Sequence, residues 1–196
     1  MKKRFIFFTM LVLVMVLSQG CFLLDNMVIE ETEPQPHKPM LDVGSRINGK
    51  TIVWVNRDNV YGWKYLAIGS ESKPIQWAND SSRFLSDKNM TEGMGRGKVN
   101  TLYLKNEFSS QAHTISNNAA LYCISVGGWL PSRAEAEKII PFANRSFWTS
   151  NGEKTSKAVY YDIISSSFKT EFRDERKTIV TIPVYYLDSN GNEVNP

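Results

Sequence analysis

The chain has 196 residues, 42% of them hydrophobic and 22% charged, which suits one globular domain with its own core. Three of its 23 Lys and Arg residues are Lys2, Lys3 and Arg4; a chain cleaved after residue 20 keeps 20 bases against 20 acids, so no nucleic-acid or acidic-surface partner is indicated. Two cysteines and two histidines, His37 and His113, exclude both a disulfide framework and a zinc site, and no cofactor is expected.

In chain order, the basic start is followed by an apolar run from Phe5 to Leu17, broken only by Thr9. Such a run is too short to cross a hydrocarbon core of ~30 Å as a helix and reads as a secretory signal over residues 1–20. Leu17-Ser18-Gln19-Gly20-Cys21 resembles a bacterial lipobox, with its leucine one place further from the cysteine than is usual. The expectation is a lipoprotein anchored through acylated Cys21, where two or more buried chains at ~0.8 kcal/mol per methylene give stable membrane attachment. Phe22 follows Cys21 in place of a retention-type aspartate, so the expected location is the cell envelope, on the outer membrane where a cell has two.

Residues 21–45 read as an acidic, proline-rich tether, with Asp25, Glu30, Glu31 and Glu33 ahead of Pro34, Pro36 and Pro39. The domain is expected over residues 46–196. Thr51–Val55 and Trp63–Ile68 read as strands, with turn residues from Asn56 to Asn59 between them. Residues 69–110 lack periodicity and read as irregular, including a surface loop from Ser86 to Asn106. Ile115, Ala119, Tyr122, Cys123 and Val126 recur at helical spacing, ended by Gly127-Gly128. Ser132-Arg133-Ala134-Glu135 is a capping box opening a second helix that is expected to stop at Pro141. Phe147–Ser150 reads as a strand entering an Asn151-Gly152 turn. Strands follow at Ala158–Ile164 and Phe168–Phe172, and Lys177–Leu187 closes the domain, with Pro183 implying an edge or bulge. The predicted class is α+β.

Several residues have a chemical reading beside a plainer one. Cys123 sits among Ala119, Ala120, Leu121 and Ile124 and reads as a small buried helix residue rather than a reactive thiol. Ser132 reads as a cap, since only His113 is available as a base for a nucleophile. Gly93-x-Gly95-x-Gly97-Lys98 lacks P-loop spacing and reads as a permissive loop with Lys98 exposed. Asp162, Glu171, Asp174 and Glu175 are carboxylates, with Arg173–Lys177 read as a solvated charged turn. Trp63, Trp129 and Trp148 read as core residues.

The run from Gly127 to Glu135 (GGWLPSRAE), after an alanine-rich helix containing Tyr122-Cys123 and before Phe147-Trp148-Thr149-Ser150, resembles the bacterial Lcl C-terminal-domain family. Tyr61–Leu66, Gly93–Thr101 and Ala158–Asp162 agree in order, so the resemblance spans about residues 47 to 187. That family is related to the sulfatase-modifying-factor domains and to the C-type lectin-like fold. The resemblance implies two helices packed on small twisted antiparallel sheets, adjacent termini and long irregular loops. It also implies binding, to a glycan or a protein; no catalysis is expected, because the residues offer no catalytic constellation and one buried cysteine does not supply the chemistry of the sulfatase-modifying enzymes. The lectin disulfides cannot form here, and the calcium-dependent sugar signature is not found; Trp77-Ala78-Asn79-Asp80 is a loose echo of it in the wrong part of the chain. The expected ligand site lies between the Trp148 strand and the closing strand, with Asn151, Glu153, Lys154, Tyr161 and Asp162 as candidates. The alternative function is a structural periplasmic subunit of an envelope assembly; a polar or aromatic concavity favours binding, a flat apolar patch favours assembly.

Overall fold

A computed structural model describes residues 41–78, 90–108, 117–152, 156–174 and 178–194. They belong to one compact unit, Met40–Pro196. The signal segment, Cys21 and the tether lie outside the described residues. The described residues form an α+β arrangement of two small antiparallel sheets and three α-helices.

The first sheet contains β1 (Arg46–Ile47), β2 (Lys50–Val55), β3 (Tyr65–Ile68) and β7 (Val184–Leu187), in the order β1-β2-β3-β7. The β-branched and aromatic residues that predict β2 and β3 pair from Thr51↔Ile68 to Val55↔Tyr65, with a register shift between Ile52 and Trp54. Asn56 shapes the connection: its Nδ2 donates to the Tyr61 and Trp63 carbonyls, and its Oδ1 accepts from the Val60 amide. β7 pairs with β3 from Tyr65↔Leu187 to Ile68↔Val184, so the first and last strands of the domain share a sheet. The two ends meet, with Lys50 Nζ 2.9 Å from a Glu193 carboxylate oxygen and Asn48 Nδ2 donating to the Gly191 carbonyl at 3.1 Å. The closing strand is shorter than its composition suggests. Residues 178–183 make a single bridge and loop contacts, and Pro183, with no amide to donate, stands immediately before the strand that starts at Val184.

The helices are α1 (Gly97–Phe108), α2 (Ala119–Ser125) and α3 (Arg133–Ile139). α1 corrects the expectation of irregular chain from residue 69 to 110. Its buried residues are Gly97, Asn100, Thr101, Leu104 and Phe108, at helical spacing. Three of the five carry no apolar side chain, so no hydrophobic stripe marks this helix in the sequence. Hydrogen bonds replace it: Asn100 Nδ2 donates to the Thr91 carbonyl and to Ser150 Oγ, both at 2.8 Å, and Thr101 Oγ1 accepts from the Leu130 amide at 2.9 Å.

α2 starts at Asn118, whose side chain accepts from the Leu121 amide. It ends in a Schellman motif, with Gly128 N–H on the Cys123 carbonyl, Gly127 N–H on the Ile124 carbonyl, and Gly127 at φ +77°. The capping box at Ser132 is present in both directions. The α-helix ends at Ile139, just before Pro141 as expected, and the chain continues as a 3₁₀ turn over Ile140–Phe142, where proline is tolerated in the first turn.

The second sheet contains β4 (Phe147–Gly152), β5 (Lys157–Asp162) and β6 (Ser167–Phe172), with β5 central. Asn151 and Gly152 do not form the expected turn. Trp148 pairs with Tyr160 and Gly152 with Ala158, so β4 bulges over Thr149–Asn151. All three bulge residues are buried and tie elements together. The Ser150 amide donates to the Pro131 carbonyl, and the Thr149 carbonyl accepts from Trp77 Nε1, both at 2.6 Å. Trp148 lies with Leu104, Cys123 and Ile179 in one core cluster. Phe147, Tyr161, Trp63 and Tyr186 belong to another. Trp63 and Trp148 are buried as expected, while Trp129 is half-buried at the margin of the second cluster.

Candidate functional site

An open cleft of about 650 Å³ lies on a face of the second sheet. Strand alternation builds it. Ala158, Tyr160 and Asp162 share one face of β5, and on β6 Ser167, Lys169 and Glu171 stand opposite them. Tyr160, Asp162 and Glu171 line it from the sheet, together with Asn144, Arg145 and Ser146 before β4 and with Thr178 and Ile179 from the adjacent segment, where the Val180 amide donates to the Ser146 carbonyl. The Tyr160 ring meets Trp148 edge-on at 5.6 Å between centroids, which fixes its position without covering it.

Asp162 is the structural corner of the cleft. Its Oδ2 accepts from Lys169 Nζ at 2.6 Å and from Ser165 Oγ at 2.7 Å. Its Oδ1 accepts from Ser146 Oγ at 3.3 Å and from the Ile164 amide at 3.2 Å. The hydrogen bond from Lys169, then that from Ser165, holds this carboxyl well below the usual carboxylate range, and Lys169 is pushed up in return. A carboxylate with so many donors serves as an anchor rather than a base. Tyr160 is pushed up by partial burial, then by the negative charge of Asp162. Its hydroxyl makes no hydrogen bond among the described residues. Arg145 is partly exposed and reaches a Glu71 oxygen at 3.5 Å.

Of the candidates named from sequence, the three that are described, Asn151, Tyr161 and Asp162, stand apart. Asp162 lines the cleft, but the adjacent Tyr161 points to the other face, against Phe147 and Phe168. Asn151 is buried near the opposite end of β5, where its Oδ1 accepts from the Arg133 amide at 2.9 Å and helps begin α3. Glu153 and Lys154 lie outside the described residues, as does Glu175. Tyr160 and Arg145 were not among the candidates. Period-two alternation through Asp162 pointed to Tyr160, whereas nothing local pointed to Arg145. Arg173, expected in a solvated turn, is buried: its guanidinium lies over Trp77 at 5.4 Å and its Nε donates to the Lys157 carbonyl. The surface loop expected from Ser86 to Asn106 is replaced in its second half by α1, and residues 86–89 lie outside the described set.

No protein-family model matches this chain. No curated protein matches it either.

The segment that carries the sequence resemblance serves the fold. Glu135 is fully buried, and its carboxylate gathers donors from distant parts of the chain. Tyr186 Oη donates at 2.6 Å and the Gly95 amide at 2.9 Å, both to Oε1, while the Ser132 amide donates to Oε2 at 2.8 Å. The glycine run that resembles a phosphate cradle is therefore occupied by the chain's own carboxylate. At Gly97 a Cβ would collide with Glu135 Oε2 and the Leu130 carbonyl, so only glycine admits this approach. Burial pushes the Glu135 carboxyl up, with the hydrogen bonds from Tyr186, Ser132, Gly97 and Gly95 opposing without cancelling it. Tyr186 is pushed far up by burial and by the facing carboxylate. Ser132 Oγ donates to the Gly93 carbonyl at 2.8 Å and accepts from the Glu135 amide, which leaves no nucleophile there. Lys98 is half-buried rather than exposed, its Nζ 5.5 Å from the centre of the Trp129 ring. The buried Cys123 thiol is pushed well up, as for an inert core cysteine. No group of three or more His, Cys, Asp or Glu side chains among the described residues is placed to hold a metal ion.

Proposed function

We propose that this chain is a lipid-anchored cell-envelope protein whose C-type lectin-like domain holds an extracellular or envelope ligand, a glycan or a protein, without transforming it. The observation that carries the proposal is the cleft: a fixed tyrosine ring in its lining and a rim of amide, hydroxyl, guanidinium and carboxylate groups. An apolar face bordered by directional hydrogen-bonding groups suits a polar ligand with one flat face, as sugars and peptide segments have. Asp162 is committed to four donors, which supports holding a ligand rather than transforming it. The anchor rests on the basic start, the apolar run and Cys21.

Protease treatment of intact cells tests the location. Rapid loss of the domain, against a protected periplasmic control, places the cleft outside the cell. Binding is tested by probing the full chain against immobilised glycans and matrix proteins, with Tyr160→Ala as the comparison. A ligand held equally by both forms places the binding site elsewhere. Full protease protection moves the search to envelope neighbours found by crosslinking.

A further inference from the structure

β6 is the edge of the second sheet, and among the described residues no other strand pairs with it. Its outward groups can be assigned. The Arg173 amide donates inward to the Ser156 carbonyl, whereas the Phe172 amide donates to the side chain of Glu171 at 2.9 Å. By alternation, Phe168, Thr170 and Phe172 turn their N–H and C=O groups away from β5. Phe172 is also 51% exposed, an aromatic ring left largely in water at a sheet edge.

The strand reads Ser167-Phe168-Lys169-Thr170-Glu171-Phe172. Set antiparallel to a copy of itself and centred on Thr170, it is self-complementary. Thr170 meets Thr170, Phe168 meets Phe172, and Lys169 meets Glu171. The outward-facing residues are those that fall into hydrogen-bonded pairs in this register, and Lys169 with Glu171 falls into the closer, non-hydrogen-bonded pairs, where side chains interact most strongly. A lysine on an edge strand ordinarily blocks pairing with arbitrary chains. Here a glutamate two residues further on makes one partner acceptable, the same strand reversed.

We propose that β6 pairs with β6 of a second copy of this chain, joining two three-stranded sheets into one continuous sheet about a two-fold axis through Thr170. Glu171 leaves the Phe172 amide for Lys169 of the second copy, which uncovers that amide for pairing. Lys169 keeps Asp162, so a carboxylate, an ammonium and a second carboxylate run in line across the junction. Phe172 is covered by the second copy's Phe168. A two-fold axis normal to the sheet turns the same face of both copies to the same side, so the two Tyr160 clefts open together, roughly 15 Å apart from the usual strand spacing. A ligand with repeated units then engages both at once.

The test is oxidative crosslinking of full-length protein in its membrane, with Thr170→Cys as the probe. In the proposed register two residues at position 170 face each other with Cα atoms about 5.5 Å apart, within reach of a disulfide. Ser167→Cys is the comparison, since its two copies stand about 20 Å apart in that register. The expected result is a disulfide-linked dimer from Thr170→Cys and none from Ser167→Cys or from the unsubstituted chain. Adding Glu171→Lys to Thr170→Cys places lysine against lysine at two symmetric contacts and weakens self-association about tenfold. Absence of a Thr170→Cys dimer, or equal crosslinking at both positions, overturns the proposal even if Glu171→Lys fails to fold. A Thr170→Cys dimer undiminished by a folded Glu171→Lys overturns the register.

Discussion

Replacing Glu135 with alanine removes the acceptor shared by the Gly95 loop, the start of α1, the cap of α3 and β7. The Tyr186 hydroxyl and the Ser132 amide are left buried without an acceptor, at about 1–3 kcal/mol each, and loss of the reciprocal cap adds about 1 kcal/mol. Relief of the carboxylate's own desolvation returns part of this, so the expected net loss is about 3–5 kcal/mol. For a domain of this size that lowers the unfolding midpoint by about 6–20 °C. Glu135→Gln keeps an acceptor for Tyr186 but turns an NH₂ group toward the Ser132 amide, and it falls between. Thermal and urea unfolding, followed by near-ultraviolet circular dichroism, measures both variants. The pH dependence checks the cause. Because burial raises the native value of Glu135, its favourable contribution is complete below the unfolded value of about 4.3 and is lost as pH rises through the native value. The advantage of the natural chain over Glu135→Gln therefore grows as pH is lowered from 7 toward 4. A midpoint shift below about 2 °C for Glu135→Ala refutes the shared-acceptor argument. An advantage that shrinks toward acid shows that the hydrogen bonds, and not burial, dominate the carboxyl.

Gly97→Ala drives a methyl group into the Glu135 carboxylate and the Leu130 carbonyl, and about 2 kcal/mol or more of stability is expected to be lost in the same unfolding assay. The native value of Asp162 is depressed, so its contribution is complete above the unfolded value of about 4 and fades as pH falls through the native value. Asp162→Asn removes that dependence, and acid titration below about pH 4 is expected to show a shallower loss of stability than in the natural chain. Thr181 Oγ1 is buried without a hydrogen-bond partner among the described residues; Thr181→Val keeps the shape and is expected to stabilise the domain by about 1 kcal/mol in urea unfolding.

Features written in neighbouring residues were legible. The Ser132–Glu135 box, the Gly127 helix stop and the strands around Val53 and Val159 follow from local hydrogen bonding and side-chain shape, and each is present. α1 was not legible, because its buried face carries Gly97, Asn100 and Thr101, whose burial makes sense only beside Glu135, Thr91, Ser150 and Leu130. The bulge in β4 was hidden for the same reason, since Asn151-Gly152 has turn composition and is kept in the strand by contacts with Arg133 and Ala158. Of the candidate site, only Asp162 was read as a cleft residue. Tyr161 and Asn151 were close in sequence but were sent to the other face or the far end of β5 by pairing register.

Sequence alone determined the α+β class, the Ser132–Glu135 cap, the Gly127 helix stop and the buried cysteine at position 123. Tertiary structure alone decided that Glu135 binds the glycine run, that Arg173 is buried and that Tyr160 shares a cleft with Arg145. The first two depend on polar groups meeting across 16 to 40 residues of chain, from Arg173 Nε on the Lys157 carbonyl to the Gly95 amide on Glu135. A buried hydrogen bond is favourable only when its distant partner arrives, and no local pattern records which partner that is.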